Sequence, residues 1–282
     1  MDADQKAIYS LIERLAKEAQ GGGEEAGILS KSLGLKAREV VSVVGAGGKT
    51  TFMFRLAKEL FLSEKKVVTT TTTKILEPVP GDTPSLFVDP DEEKIKQFID
   101  RHLHQYRHIT VARERLGIGK LKGVSSNLLM DLWRFCGIDT IIIEADGAAG
   151  RPIKAPRDGE PVIPPNTTLV VGILGVDGVE IELSEEKVFQ AERISKMTGI
   201  PIGGRMTQKA MATLMTHPEG IFRGAPPSSR RVAFLNKVDI PNGIKKAKGI
   251  AKKIFDTKPH QIERVVLGQL KMGPPVVGVI FP

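Results

Sequence analysis

The sequence predicts a three-layer α/β fold, with a mainly parallel sheet, helices on both faces and an N-terminal helical extension. Three observations lead there. Apolar runs of strand length alternate with stretches of helical periodicity along most of the 282 residues. The first such run, Val40 to Val44 with Ser42 its one polar residue, passes through a glycine-rich turn straight into an amphipathic stretch carrying Phe52, Met53, Leu56 and Leu60. Two later runs, Ile141 to Ile143 and Val232 to Leu235, end in polar clusters, and in open parallel sheets ligands bind beyond the carboxyl ends of strands. The expected division is 1–38 as the extension and 39–282 as the α/β domain, with 178–230 a helical excursion inside it.

The turn after the first strand is built for phosphate. Gly45, Gly47 and Gly48 allow backbone angles closed to other residues, so that successive N–H groups converge on an anion at the positive end of the following helix. Ala46, Lys49, Thr50 and Thr51 complete this phosphate-binding set. Lys49 is placed to reach the terminal phosphates and the Thr50 hydroxyl to sit on Mg²⁺. A full P-loop reads G-x-x-x-x-G-K-[ST]; here Val43 stands where the first glycine belongs, and the shortened G-x-x-G-K-T-T resembles the P-loop of the Mur ligase ATPase domain. The competing dinucleotide pattern G-x-G-x-x-G fails at its third glycine, where Thr50 stands.

Composition sets wide bounds. With 41% hydrophobic and 26% charged residues the chain can bury a full core. Its net charge of +8 favours anionic partners such as nucleotides, although lysine-rich solvated faces give the same figure. The lysines at 245, 246, 248, 252 and 253 read as such a face, with no interleaved aromatics for stacking on nucleic acid. A lone cysteine, Cys136, excludes an internal disulfide, and no apolar run reaches membrane-spanning length, so a cytoplasmic location without membrane association is expected.

In chain order, residues 5 to 19 place Ile8, Leu11, Ile12 and Leu15 on one helical face, ended by Gly21 to Gly23. After the P-loop helix, Lys66 to Thr70 reads as a strand running into Thr71 to Lys74, with Thr72 and Lys74 candidates at a ligand-facing strand end. Leu86 to Val88 reads as a strand, Glu92 to Tyr106 as a helix, Ile109 to Ala112 as a strand, Gly117 to Gly123 as a flexible basic loop and Leu128 to Phe135 as a helix. His102, His104 and His108 lack the carboxylate or cysteine that would complete a metal set. Trp133 and Cys136 are expected to face the core. Thr168 to Leu174 is a strand; 184–198 and 207–216 are helices capped by Ser184 and Thr207. Ile262 to Leu267 and Val276 to Phe281 finish the sheet.

The chemistry is expected at two further strand ends. Glu144 and Asp146 share one face at alternate positions after Ile141 to Ile143, where one carboxylate can bind Mg²⁺ and another can orient a nucleophile. Thr50 with Glu144 or Asp146 is the metal set, and Lys49, Asp146, Arg151 and Lys154 are the catalytic candidates, Arg151 or Lys154 offsetting developing charge. After Val232 to Leu235 comes N-K-V-D, which resembles the guanine-recognition motif of GTP-binding proteins: Asp239 accepts from the base edge, Asn236 supports base and loop, and the Lys237 stem covers the ring.

Taken together, V-G-A-G-G-K-T-T with T-T-T-T-K, E-A-D-G-A-A-G-R-P-I-K-A-P and F-L-N-K-V-D resemble the YqeC family of selenium-dependent hydroxylase accessory proteins, from about Leu33 to the end. The resemblance implies a part in maturing selenium-dependent molybdenum hydroxylases, with such an enzyme or its cofactor-maturation proteins as partners. The motifs themselves point to a Mg²⁺-dependent purine-nucleotide NTPase, GTP favoured and ATP the alternative. A nucleotide-gated chaperone for a selenium or molybdopterin species, and a Mur-like ATP-dependent ligase, stand beside that reading.

Overall fold

The run V-V-S-V-V that opens the motif is a strand buried along its whole length, β1 (Glu39–Gly45), and the sheet is assembled on both sides of it. It is followed by β2 (Val67–Thr71), β3 (Lys74–Leu76), β4 (Leu86–Val88), β5 (His108–Ala112), β6 (Glu114–Leu116), β7 (Lys120–Lys122), β8 (Thr140–Glu144), β9 (Leu169–Gly175), β10 (Arg230–Asn236), β11 (Ile262–Gly268) and β12 (Val276–Ile280). In this computed structural model, which describes residues 28–117, 119–134, 137–148, 150–257 and 261–282, nine strands form one sheet in the order β12-β11-β10-β9-β1-β8-β2-β5-β4. Every neighbouring pair is parallel except β11 with β12. The fold is therefore α/β with a mostly parallel sheet, as the alternating pattern implies.

Strand periodicity sorts side chains onto two cores. Val41 and Val43 join one cluster with α1 (Ile28–Leu33) and α2 (Lys49–Leu62). Val40 and Val44 point the other way, to a cluster with α3 (Glu92–Tyr106), α4 (Ser126–Arg134), α5 (Ala191–Thr198), α6 (Gln208–Thr216) and α7 (Gly243–Asp256). Burial on both faces explains why these strands read as near-continuous apolar runs. The 178–230 stretch carries α5 and α6, and Met206, Met211 and Leu214 from it lie in the same core as the sheet.

The chain passes from β1 to β2, two places away, and later returns to insert β8 between them before crossing to β9 on the far side of β1. Strand order thus reverses around β1, which puts a crevice at the carboxyl ends of β1, β8 and β9.

Residues just before β1 are bound into the core. Leu29 and Leu33 of α1 are fully buried, and the Glu59 carboxylate of α2 accepts from Leu29 N–H at 2.9 Å and Ser30 N–H at 2.8 Å, capping α1. The helix expected over residues 5 to 19 lies outside the described residues, as does Cys136.

Two expectations are corrected. The helix placed at 184–198 begins only at Ala191, because Gln190 is left-handed and Phe189 pairs with the 153–155 backbone, donating to Ile153 O and accepting from Ala155 N–H. Ser184 caps nothing; the Glu185 carboxylate accepts from Ala191 N–H instead. The Gly117–Gly123 loop is largely a hairpin: β6 and β7 pair antiparallel, and β7 pairs with β3, setting Ile75 opposite Leu121 in a three-stranded sheet. Both side chains are buried, and that burial overrides the glycine and lysine composition. Trp133 is half-buried against the core with the Arg38 guanidinium 4.2 Å from its ring.

Candidate functional site

The glycines of the loop are demanded by close packing as well as by backbone angle. Gly47 and Gly48 have φ of 91° and 133°, and a Cβ at these positions would stand 2.6 Å from Gly175 N and 2.5 Å from Asn236 Nδ2. The loop therefore lies against the ends of β9 and β10, which draws the first and third sequence motifs together. Asn236 ties them: its Nδ2 donates to Gly47 O at 2.8 Å and its Oδ1 accepts from Leu270 N–H at 3.1 Å.

Beyond the loop, α2 starts at Lys49 with Gly48 as its N-cap and no side chain capping it. The N–H groups of its first turn are left for an anion at the positive end of a 14-residue helix. Ala46 N–H is already spent on Ile173 O, and Gly45 N–H on Asp146 Oδ2 at 3.0 Å. Thr51 is exposed on the outer side of the turn.

Strand alternation places Glu144 and Asp146 beside Lys49, whose ammonium donates to Gly45 O at 2.9 Å and lies 3.5 Å from Glu144 Oε1 and 3.3 Å from Asp146 Oδ1. The Thr50 hydroxyl donates to Glu144 Oε2 at 2.7 Å. All three charged groups are buried. Burial works against the Lys49 charge, but the Asp146 and Glu144 carboxylates outweigh it and raise its pKa above the ordinary lysine value. Burial likewise pushes the Glu144 carboxyl up, opposed by the Lys49 charge and the Thr50 hydroxyl.

The donor set suits a hard cation. Two carboxylates and a hydroxyl are oxygen ligands of the kind Mg²⁺ takes, with phosphate oxygens and water completing its shell. Asp146 Oδ1 is buried with no hydrogen-bond partner, although it faces Lys49. Among the described residues no cluster of three or more His, Cys, Asp or Glu side chains forms a metal cage.

The remaining candidates are spread around this centre. Lys154 turns inward, fully buried, with its ammonium 2.9 Å from Asp146 Oδ2 and 3.3 Å from Glu160 Oε2. Arg151 is half-buried and donates to Glu185 O at 3.3 Å. The Thr72 hydroxyl donates to Val162 O at 2.7 Å, its N–H to Glu144 O, and Lys74 is exposed on β3. Lys237, at φ 65°, pairs with Asp177 at 2.6 Å. Asp239, the residue read as accepting from the base edge, is exposed, because it follows the strand in a turn.

The model of the family described as YqeC protein matches residues 41–192. The chain belongs to the YqeC family. A relative described as "Uncharacterized protein YqeC", from Escherichia coli (strain K12), is 30% identical over 245 residues, covering 86% of this chain and 91% of the relative. Among solved structures, the hydrogenase maturation factor HypB from Archaeoglobus fulgidus superposes with a TM-score of 0.40 at 15% identity, covering 93% of this chain and 91% of HypB.

Two members of the site in this YqeC-family chain escaped sequence reasoning. Asp177 stands two residues past β9 and holds Lys237; the strand-end rule that singled out Asp146 applies equally to it. Glu160 carries no such signal, since it reaches Lys154 only through the folding of the 147–160 segment. No helix among the described residues is long and apolar enough to cross a membrane.

Proposed function

We propose that this protein is a Mg²⁺-dependent purine-nucleotide-binding P-loop NTPase that favours GTP over ATP. One observation carries the reading: the Lys49 ammonium is held at the mouth of a glycine loop by Gly45 O and two strand-end carboxylates, with the Thr50 hydroxyl on one of them. The first-turn N–H groups of α2 bind the phosphates, and Lys49 leaves the carboxylates to meet their charge. Thr50 and Glu144 would hold Mg²⁺, which when bound neutralises phosphate charge and fixes the phosphoryl group. Asp146 keeps one oxygen fixed by Gly45 N–H and Lys154, so that Oδ1 is aimed as an acceptor toward the reacting end of the nucleotide. Arg151, half-buried and five residues past Asp146, offsets developing charge.

The base is read by the N-K-V-D turn. Asn236 holds the loop, the Lys237 stem covers the ring, and the Asp239 carboxylate accepts from two donors that guanine has and adenine lacks. We further propose, from what the sequence resemblance implies, that the protein serves the maturation of selenium-dependent molybdenum hydroxylases. A second reading, a nucleotide-gated chaperone with little turnover, is favoured by the three-stranded sheet at the site's edge. There Gly123 N–H and Val124 N–H donate to Thr73 O and Thr71 O, joining that sheet to the end of β2.

Affinities for GTP, ATP and XTP on the wild type and on Asp239→Asn test the base assignment. Asp239 is exposed, so its selectivity rests on the two hydrogen bonds it makes to the base rather than on a desolvated pocket: GTP should lead ATP and the variant should turn toward XTP. Equal GTP and ATP binding, unmoved by the substitution, refutes it. Phosphate release without a partner protein separates the enzyme from the switch.

A further inference from the structure

A second cleft opens at the amino-terminal ends of the strands, away from the glycine loop. It has a volume of about 450 Å³, within the usual range for small-molecule sites. Met215, from the last turn of α6, Phe222 and Ile262 give it an apolar wall; His217, Arg231 and Gln261 give it polar groups. Phe222 packs closely on the sheet, its ring occupying the space a side chain at Gly172 would need: a Cβ there would stand 2.7 Å from Phe222 Cζ.

Arg231 is the informative member. Its neighbour Arg230 is paired with Glu39 and Glu263. Arg231 is half-buried, donates to Gln261 Oε1, and has no ion-pair partner among the described residues. Its burial works against the charge and lowers its pKa, yet an arginine does not deprotonate in a protein. Among the described residues, no counter-charge offsets the burial of this partly desolvated guanidinium beside an apolar wall. His217 Nδ1 accepts from Glu219 N–H at 3.0 Å, so a neutral ring carries its proton on Nε2 and offers one more donor.

We propose that this cleft binds a small anion with a flat apolar body, of the aryl carboxylate class: the carboxylate on Arg231, the ring against Phe222, Met215 and Ile262. The site is separate from the nucleotide site, because Arg231 precedes Asn236 by five residues on β10, about 16 Å at the rise of a parallel strand.

Titrating 2-naphthoate and uncharged 2-naphthamide into the ¹⁵N-labelled full chain, with the amides of Gly224 and Ala225, which also line the cleft, followed by NMR, tests it. We expect naphthoate to shift these amides and to bind at least about tenfold tighter than naphthamide, leaving the Gly45–Thr51 amides unmoved. Arg231→Met should bring naphthoate down to the amide's affinity, and Arg231→Lys should restore part of the difference. Equal binding of the two probes to the wild type overturns the proposal, whether or not the variants fold. So do shifts confined to the glycine loop, or an Arg231→Met protein that keeps its preference for naphthoate.

Discussion

The Lys154 ammonium lies 2.9 Å from Asp146 Oδ2, and neither side chain is more than 1% exposed. Lys154 also meets Glu160 Oε2 at 3.3 Å and donates to Gly147 O, while Glu160 is held from outside by Arg157 at 2.9 Å. Charges therefore alternate from the glycine loop outward: Lys49, Asp146, Lys154, Glu160, Arg157. The arrangement has a consequence for binding. When Lys49 turns to a phosphate, Asp146 still has a buried counter-ion in Lys154, so the move does not strand that carboxylate in a dry interior.

Replacing Lys154 with Met removes the buried ammonium that two carboxylates share, leaving Asp146 to Lys49 and Glu160 to Arg157. We expect a loss of about 3–5 kcal/mol in urea denaturation, the usual cost of removing one partner of a buried pair. Adding Glu160→Gln should cost less than the sum of the single changes, because the two sites share one interaction. Strict additivity would show that the pair does not act as a unit.

Gly48 should not tolerate a side chain. At φ 133° a Cβ stands 2.5 Å from Asn236 Nδ2, so Gly48→Ala strains the backbone and pushes away the amide that holds Gly47 O. The expected destabilisation is about 1–3 kcal/mol, with nucleotide affinity falling as the loop loses its tie to β10. Thermal unfolding and binding measured on one preparation check both effects.

Acid sensitivity should come in part from His108. Buried at the start of β5 with Thr69 Oγ1 at 3.0 Å, it is held neutral by burial, its pKa lowered to about 3. Between that value and the ordinary 6.5 the unfolded chain binds the proton and the folded chain does not. The contribution is thus fully present above pH 6.5 and is lost as pH falls toward 3, a span of up to about 5 kcal/mol. His108→Gln, which does not titrate, should flatten stability against pH over that window in chemical denaturation; an unchanged acid limb rules the mechanism out.

What the sequence made legible was local. Glu92–Tyr106 is a helix with the expected bounds, started by the Asp91 side chain accepting from Glu93 N–H, and Thr207 caps α6 by accepting from Ala210 N–H. Strand ends were legible too, because alternate spacing alone sets Glu144 and Asp146 on one face. Contacts made across the chain were not. Leu121 looks like one apolar residue in a basic loop until Ile75 is set opposite it. Ser184 has the chemistry of a cap, but the segment after it is drawn onto the 153–155 backbone. Lys154 reads as a cation free to meet phosphate, and only the fold of the intervening turn shows it pinned beneath Asp146. Asp239 carries the motif without disclosing its exposure.

The most direct measurement is calorimetric titration of Mg²⁺·GTP into the wild type and into Lys49→Ala, with circular dichroism to establish that both are folded. Among the described residues, Lys49 alone joins the glycine loop to both carboxylates. We expect saturable binding to the wild type, dependent on Mg²⁺, and a loss of at least about a hundredfold, some 2.7 kcal/mol, in the variant. A folded Lys49→Ala protein that binds Mg²⁺·GTP as the wild type does would contradict the assignment of this loop to nucleotide phosphates.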